Sequence, residues 1–195
     1  MKRLLVPAGA LALLLLIVAS GCGVAGRVQP VSTSGGEAEA WRLPDLADPG
    51  EQRSLVSVFN HGVGTPRLIL LLSPTCPTCL TGASWVRDQI LRRYPLAKVD
   101  VIAVWMPVLP GDSRAAWNDE VLDDARVTQL WDQDQVVGTW FQRHGGPFWD
   151  AFLYYRPDAH WRNHPTDPDA WGSTILGSTG ELEHALSAML SRSSA

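Results

Sequence analysis

The run Arg67–Ser73 (RLILLLS) leads into Cys76-Pro77-Thr78-Cys79, and apolar side chains at helical spacing begin directly behind it. No other stretch restricts the fold of this chain as strongly. An apolar run without polar alternation suits a strand buried on both faces of a sheet. From Cys79 to Arg93, the residues Leu80, Ala83, Val86, Ile90 and Leu91 recur on one helical face, and Pro95 ends the pattern. The junction therefore reads as strand, turn, cysteine pair and helix.

The rest of the chain continues this alternation. Val99–Leu109 is rich in β-branched residues and predicts a second buried strand. Pro110-Gly111-Asp112 turns the chain toward a helix over Ser113–Asp124. Val127–Trp131 reads as a short strand, and Gln133–Arg143 as a helix with Val136, Val137, Trp140 and Phe141 on one face. Gly145-Gly146-Pro147 breaks the chain before an aromatic strand, Trp149–Tyr155. Pro157-Asp158 then turns it toward a hairpin partner at His160–Arg162, and His164–Gly177 reads as a loop. Ser178-Thr179-Gly180-Glu181 fits a capping box for a last helix whose stripe is Leu182, Ala185, Leu186, Met189 and Leu190. Upstream, Trp41–Leu43 and Arg53–Val56 flank a turn-rich segment as a hairpin, with a short helix at Ser57–Asn60. Buried strands alternating with amphipathic helices predict an α/β sandwich with helices on both sheet faces.

The cysteine pair carries the chemistry. At a helix start, the Cys76 sulfur meets free backbone N–H groups and the positive end of the helix dipole, which favour its thiolate. Pro77 suits the first helical turn, where its missing N–H costs nothing. Two intervening residues, Pro77 and Thr78, leave Cys79 within reach for an intramolecular disulfide. Cys76 at an exposed tip is thus expected to attack a partner's disulfide, and Cys79 to resolve the mixed disulfide. Three plainer readings stay open: half of a zinc site, a short structural disulfide, or a pair with no chemistry. No second C-x-x-C completes a zinc set.

With these residues in place, the sequence resembles the thioredoxin superfamily, and within it the membrane-tethered TlpA/ResA-like branch. The resemblance rests on Leu43-Pro44-Asp45-Leu46, Arg53-Ser54-Leu55, the run before Cys76 and the Cys76–Cys79 pair, and covers most of residues 41–192. It implies a thioredoxin-like fold: a central mixed β-sheet flanked by helices on both faces, with an N-terminal hairpin extension. It implies a cis-proline opposite the cysteine pair, and Gly146-Pro147 occupies the matching place. Gly146 and Pro147, with Pro77 and Thr78, are then expected to meet the partner's chain. It also implies a buried acid assisting the second cysteine, a role for which Asp100 is the candidate. Ser73-Pro74-Thr75 stands where the family has an aromatic-rich approach. That spacing also misses the peroxidatic motif of peroxiredoxins, which share the fold.

Other chemistry-bearing residues read more simply. His144 is expected to cap the end of the preceding helix. His160 and His164 fall in a loop, and His61 and His184 on the surface. Trp85, Trp140 and Trp149 are expected at core or rim positions, while Trp161 and Trp171 bracket the His164–Gly172 loop and are expected to pack it down, with lining of a partner groove the alternative.

The amino end reads as an address. Residues 1–21 carry Lys2 and Arg3, an apolar run from Leu4 to Ala19 and small closing residues, the layout of an export signal. That run is shorter than the roughly 20 residues of a comfortable membrane span. Ala19-Ser20-Gly21-Cys22 resembles a lipobox, with Cys22 the acylated residue and ordinary cleavage the alternative. Residues 22–40 read as a flexible tether, and residues 41–195 as the working domain. Loss of Lys2 and Arg3 moves the net charge from −4 to −6, which disfavours nucleic acid as a partner. The expectation is an exported, lipid-anchored thiol–disulfide oxidoreductase acting on protein thiols and disulfides of the cell envelope. It takes electrons from a membrane or soluble thiol donor and needs neither cofactor nor metal. The alternative is a non-enzymatic lipoprotein whose thiols bind copper, zinc or an envelope protein.

Overall fold

The structure, a computed structural model, describes residues 34–46 and 52–191. The expected export signal, Cys22 and most of the tether lie outside these residues. Within the tether, Ser34–Ala40 forms a short helix, α1.

The hairpin is present: β1 (Arg42–Pro44) pairs antiparallel with β2 (Gln52–Ser54), and α2 (Leu55–His61) follows. The main sheet contains β3 (Arg67–Leu72), β4 (Asp100–Trp105), β5 (Val127–Trp131), β6 (Ala151–Tyr155) and β7 (Ala170–Ser173). Their order is β5-β4-β3-β6-β7, parallel across the first three and antiparallel across the last two pairings. The sheet is therefore mixed, with β3 at its centre.

Every residue of β3 is buried, which explains its unbroken apolar character. Successive side chains point to opposite faces. Leu68, Leu70 and Leu72 join a core with Val86, Ile90, Leu182 and Leu186, whereas Ile69 and Leu71 join a core with Phe59, Val137, Phe141 and Trp161. The first core is covered by α3 (Pro77–Trp85), its continuation as a wider π-helical turn over Val86–Arg92, and α5 (Thr179–Leu190). The second is covered by α2 and α4 (Val136–Arg143). At the start of β3, the fully buried Arg67 donates to the carbonyls of Arg156 at 2.9 Å and Ala159 at 2.7 Å and lies over the Phe59 ring.

Several local expectations are corrected. The helix expected over Ser113–Asp124 is two 3₁₀ turns, Arg114–Ala116 and Asp119–Leu122. The Ser113 hydroxyl accepts from Ala116 N–H and the Asn118 side chain from Glu120 N–H, so local side-chain bonds restart the chain twice. The β6 partner is β7 rather than His160–Arg162, so His164–Gly177 is not all loop. Trp161 is instead fully buried, stacked on Phe59 at 3.8 Å, with Asn60 bonding its backbone N–H and carbonyl. Ser178 makes no side-chain cap; a 3₁₀ turn over Leu176–Ser178 leads into α5. The strand expected to Leu109 ends at Trp105.

Candidate redox site

β3 delivers the chain to Ser73-Pro74-Thr75, and α3 begins with Cys76 as its N-cap. The approach is held by Asp112, on the turn after β4. Its carboxylate accepts from the Ser73 and Thr75 hydroxyls and from the backbone N–H groups of Thr75, Val108 and Leu109. Burial would raise the Asp112 pKa, but these donors outweigh it and hold the carboxyl below its ordinary range. The turn and the cysteine approach thus share one anion.

Both thiols are free. Cys76 Sγ accepts the Cys79 N–H at 3.4 Å and lies 3.1 Å from the Thr78 hydroxyl. Burial works against the Cys76 thiolate. Hydrogen bonds from the Cys79 thiol, the Thr78 hydroxyl and the Cys79 N–H outweigh that, and the Cys76 pKa falls below the ordinary thiol value. Burial pushes the Cys79 thiol strongly upward, and Cys76 and the Asp150 charge add to the rise. Three residues apart, the surroundings push one thiol's pKa down and the other's up. Cys76 is nonetheless only 6% exposed, so the exposed tip is carried by Pro77 and Thr78.

The opposite wall differs from expectation. The Gly146–Pro147 bond is trans, and the cis bond among the described residues is Ser173–Thr174. Pro147 is buried, and Gly146 lines a cavity beside His144 and His164. The Asp150 carboxylate lies with both sulfurs in one cluster no wider than 4.8 Å. Asp150 is 4% exposed, adopts φ +49° and accepts the Ile175 N–H at 3.3 Å. The left-handed region is strained for most residues, and Asp tolerates it better than most. Ile175 also abuts Gly82 of α3, where even a Cβ would crowd it. Trp149 and Leu176, each 37% exposed, are the chain neighbours of Asp150 and Ile175.

Asp150 escaped sequence reading, although a signal existed. β6 is antiparallel to β3, with Ala151 opposite Leu71, so the residue before Ala151 falls beside the exit of β3. Asp100 is corrected. It pairs with Arg67 at the far end of β3, about 17 Å of strand from the cysteine end, and burial raises its pKa. His144 does sit at the C-cap of α4, bonded to the Trp140 carbonyl, and all five histidines are exposed. Among the described residues the one cluster of potential metal ligands is Cys76, Cys79 and Asp150, and no helix is long and apolar enough to cross a membrane.

No protein-family model matches the sequence, and no curated protein matches it either. Solved structures do. One is a Bacteroides thetaiotaomicron protein designated a protein disulfide isomerase, at TM-score 0.50 and 10% identity over 77% of this chain and 85% of that one. A secreted Mycobacterium tuberculosis disulfide oxidoreductase homologous to E. coli DsbE has TM-score 0.47 and 21% identity, covering 78% and 98%. A thioredoxin-like protein from Aeropyrum pernix has TM-score 0.47 and 17% identity, covering 79% and 92%. The mixed five-stranded sheet with helices on both faces, and the cysteine pair at the start of α3, give this chain a thioredoxin-like fold.

Proposed function

We propose that this protein is an extracytoplasmic thiol–disulfide oxidoreductase that exchanges its Cys76–Cys79 pair with protein partners. The observation that carries the reading is the opposed preparation of two neighbouring sulfurs at one helix start. The Cys76 thiolate attacks a partner disulfide, forming a mixed disulfide and releasing one partner thiolate. Cys79 then gives up its proton and attacks Cys76 Sγ. The second partner thiolate leaves, and the intramolecular disulfide closes. Pro77 and Thr78 form the exposed lip on one side. The exposed Trp149, chain neighbour of Asp150, forms the other, with Gly146 and the buried Pro147 leading into it as the expected contacts of the partner's chain.

The export layout of residues 1–21 and the lipobox-like Cys22 support a lipid anchor facing the periplasm or cell exterior. Partners are then envelope proteins bearing thiols or disulfides, with electrons from a membrane or soluble thiol donor. The test is insulin-disulfide reduction with single cysteine variants. Cys76→Ser is expected to abolish activity, and Cys79→Ser to accumulate mixed disulfides visible on non-reducing gels. Wild-type behaviour from both variants overturns the proposal.

A further inference from the structure

The exchange reading leaves Asp150 unexplained. Its carboxylate lies within 4.8 Å of both sulfurs, and the exchange steps give it no part. It is 4% exposed and forms no ion pair among the described residues. Carboxylates buried to this degree are usually paired with a cation or coordinate a metal. Its strained left-handed backbone fixes it before β6, facing the start of α3.

We propose that, with the disulfide open, Cys76 Sγ, Cys79 Sγ and an Asp150 carboxylate oxygen form a three-ligand site for zinc. The three ligand atoms lie within 4.8 Å of one another. Tetrahedral zinc, with bonds of about 2.0–2.3 Å, separates neighbouring ligand atoms by roughly 3.4–3.8 Å, so only a small contraction closes the set. Two thiolates with one carboxylate suit a borderline divalent ion. Cu(I) prefers soft sulfur donors alone, and Mg²⁺ or Ca²⁺ prefers oxygen. The fourth position is left to water, reached past Pro77 and Thr78, which are exposed.

The inference rests on the proposed cycling of the pair between dithiol and disulfide, because that cycling gates the site. Zinc binding to the protonated dithiol forms two Zn–S bonds and releases two protons. When a partner disulfide oxidises the pair, the two sulfurs give up two electrons and join as the Cys76–Cys79 bond. The partner disulfide takes those electrons and two protons to become two thiols, and the zinc ion is released. Metal occupancy and disulfide are mutually exclusive states of the same atoms.

The test uses the full chain carrying Cys22→Ser, so that Cys76 and Cys79 are its only thiols, titrated with Co²⁺ as a spectroscopic probe and then with Zn²⁺ as competitor. The reduced protein is expected to develop a thiolate-to-cobalt band and tetrahedral d–d bands, saturating at one equivalent and bleached by zinc. The disulfide form and Cys76→Ser are expected to show neither. Asp150→Asn, which keeps an acceptor for Ile175 N–H, is expected to weaken binding by at least ~10-fold. Absence of the bands in the reduced protein overturns the inference, and so does unchanged affinity in Asp150→Asn. The contrast between reduced and oxidised wild-type-pair protein needs no folded variant. Insulin reduction assayed in chelator separates this inference from the exchange reading. Exchange without cobalt bands removes the metal site alone, and cobalt bands without cysteine-dependent exchange remove the enzyme reading alone.

Discussion

The two walls of the site are built by opposite strategies. On one side, the segment 73–79 is assembled locally: a strand ends, a helix begins, and bonds two to three residues apart set the state of Cys76. On the other side, Asp150 reaches the sulfurs from more than seventy residues downstream, by the antiparallel register of β6 on β3 and the bond from Ile175 beyond β7. In the first wall a short peptide sets the state of Cys76, with Asp112 bracing its approach from the turn after β4. The second exists only after the sheet has formed. Damage to the sheet should therefore remove the second wall and spare much of the first.

The largest effect is expected at the second wall. A Cβ on Gly138 of α4 would meet the Phe148 carbonyl and ring, so Gly138→Ala forces the segment before β6 outward. Overpacking against backbone costs about 2–3 kcal/mol, which should appear as a lower midpoint in chemical denaturation. The sharper expectation is a lost response to Asp150→Asn: once displaced, the carboxylate no longer acts on the thiols. An unchanged response in the double variant would show that the Gly138–Phe148 contact does not hold Asp150 in place.

A smaller effect is expected at the first wall. Asp112→Ala removes five acceptor contacts from a half-exposed carboxylate, for a loss of roughly 2 kcal/mol. Because the folded-state pKa of Asp112 lies below its unfolded value, this stability is present above about pH 4 and disappears as pH falls through the folded value. Acid titration of wild type against Asp112→Asn, followed by tryptophan fluorescence, should show the variant losing less stability on acidification. Equal losses would remove Asp112 as the brace.

The smallest effect isolates one hydrogen bond. Thr78→Ala removes the hydroxyl 3.1 Å from Cys76 Sγ, so the Cys76 pKa should rise. The pH dependence of iodoacetamide alkylation in the Cys22→Ser background, run in chelator, measures this, with the Cys79 thiol held protonated over the same range. A fall in the pKa would reverse the assigned direction of that bond.

What was legible in the sequence follows the same division. β3, the cysteine pair at the start of α3, β5 and the apolar stripe of α5 are written in contiguous residues, and the structure carries all of them. Most misreadings lie where a distant partner decides. Trp161 sits in a stretch that looks like a strand, yet stacking on Phe59 and the bonds of Asn60 make it a packed loop. Ala170–Ser173 sits in a stretch rich in proline and glycine, yet the open edge of β6 makes it a strand. Ser113 and Asn118 divert the backbone with their own side chains, an effect that helical periodicity does not register. Asp100 and Asp150 exchange importance for a single reason: strand direction decides which end of β3 each one visits.

The clamp on Arg67 gives β3 an asymmetry. At its first residue the strand is fastened by an unexposed guanidinium to carbonyls of the 156–159 turn, while its last residue leads to the pair for which we propose disulfide exchange. The strand behaves as a cantilever, rooted at one end and loaded at the other. Movement that accompanies the proposed opening and closing of the disulfide is therefore expected at the loaded tip rather than at the rooted end.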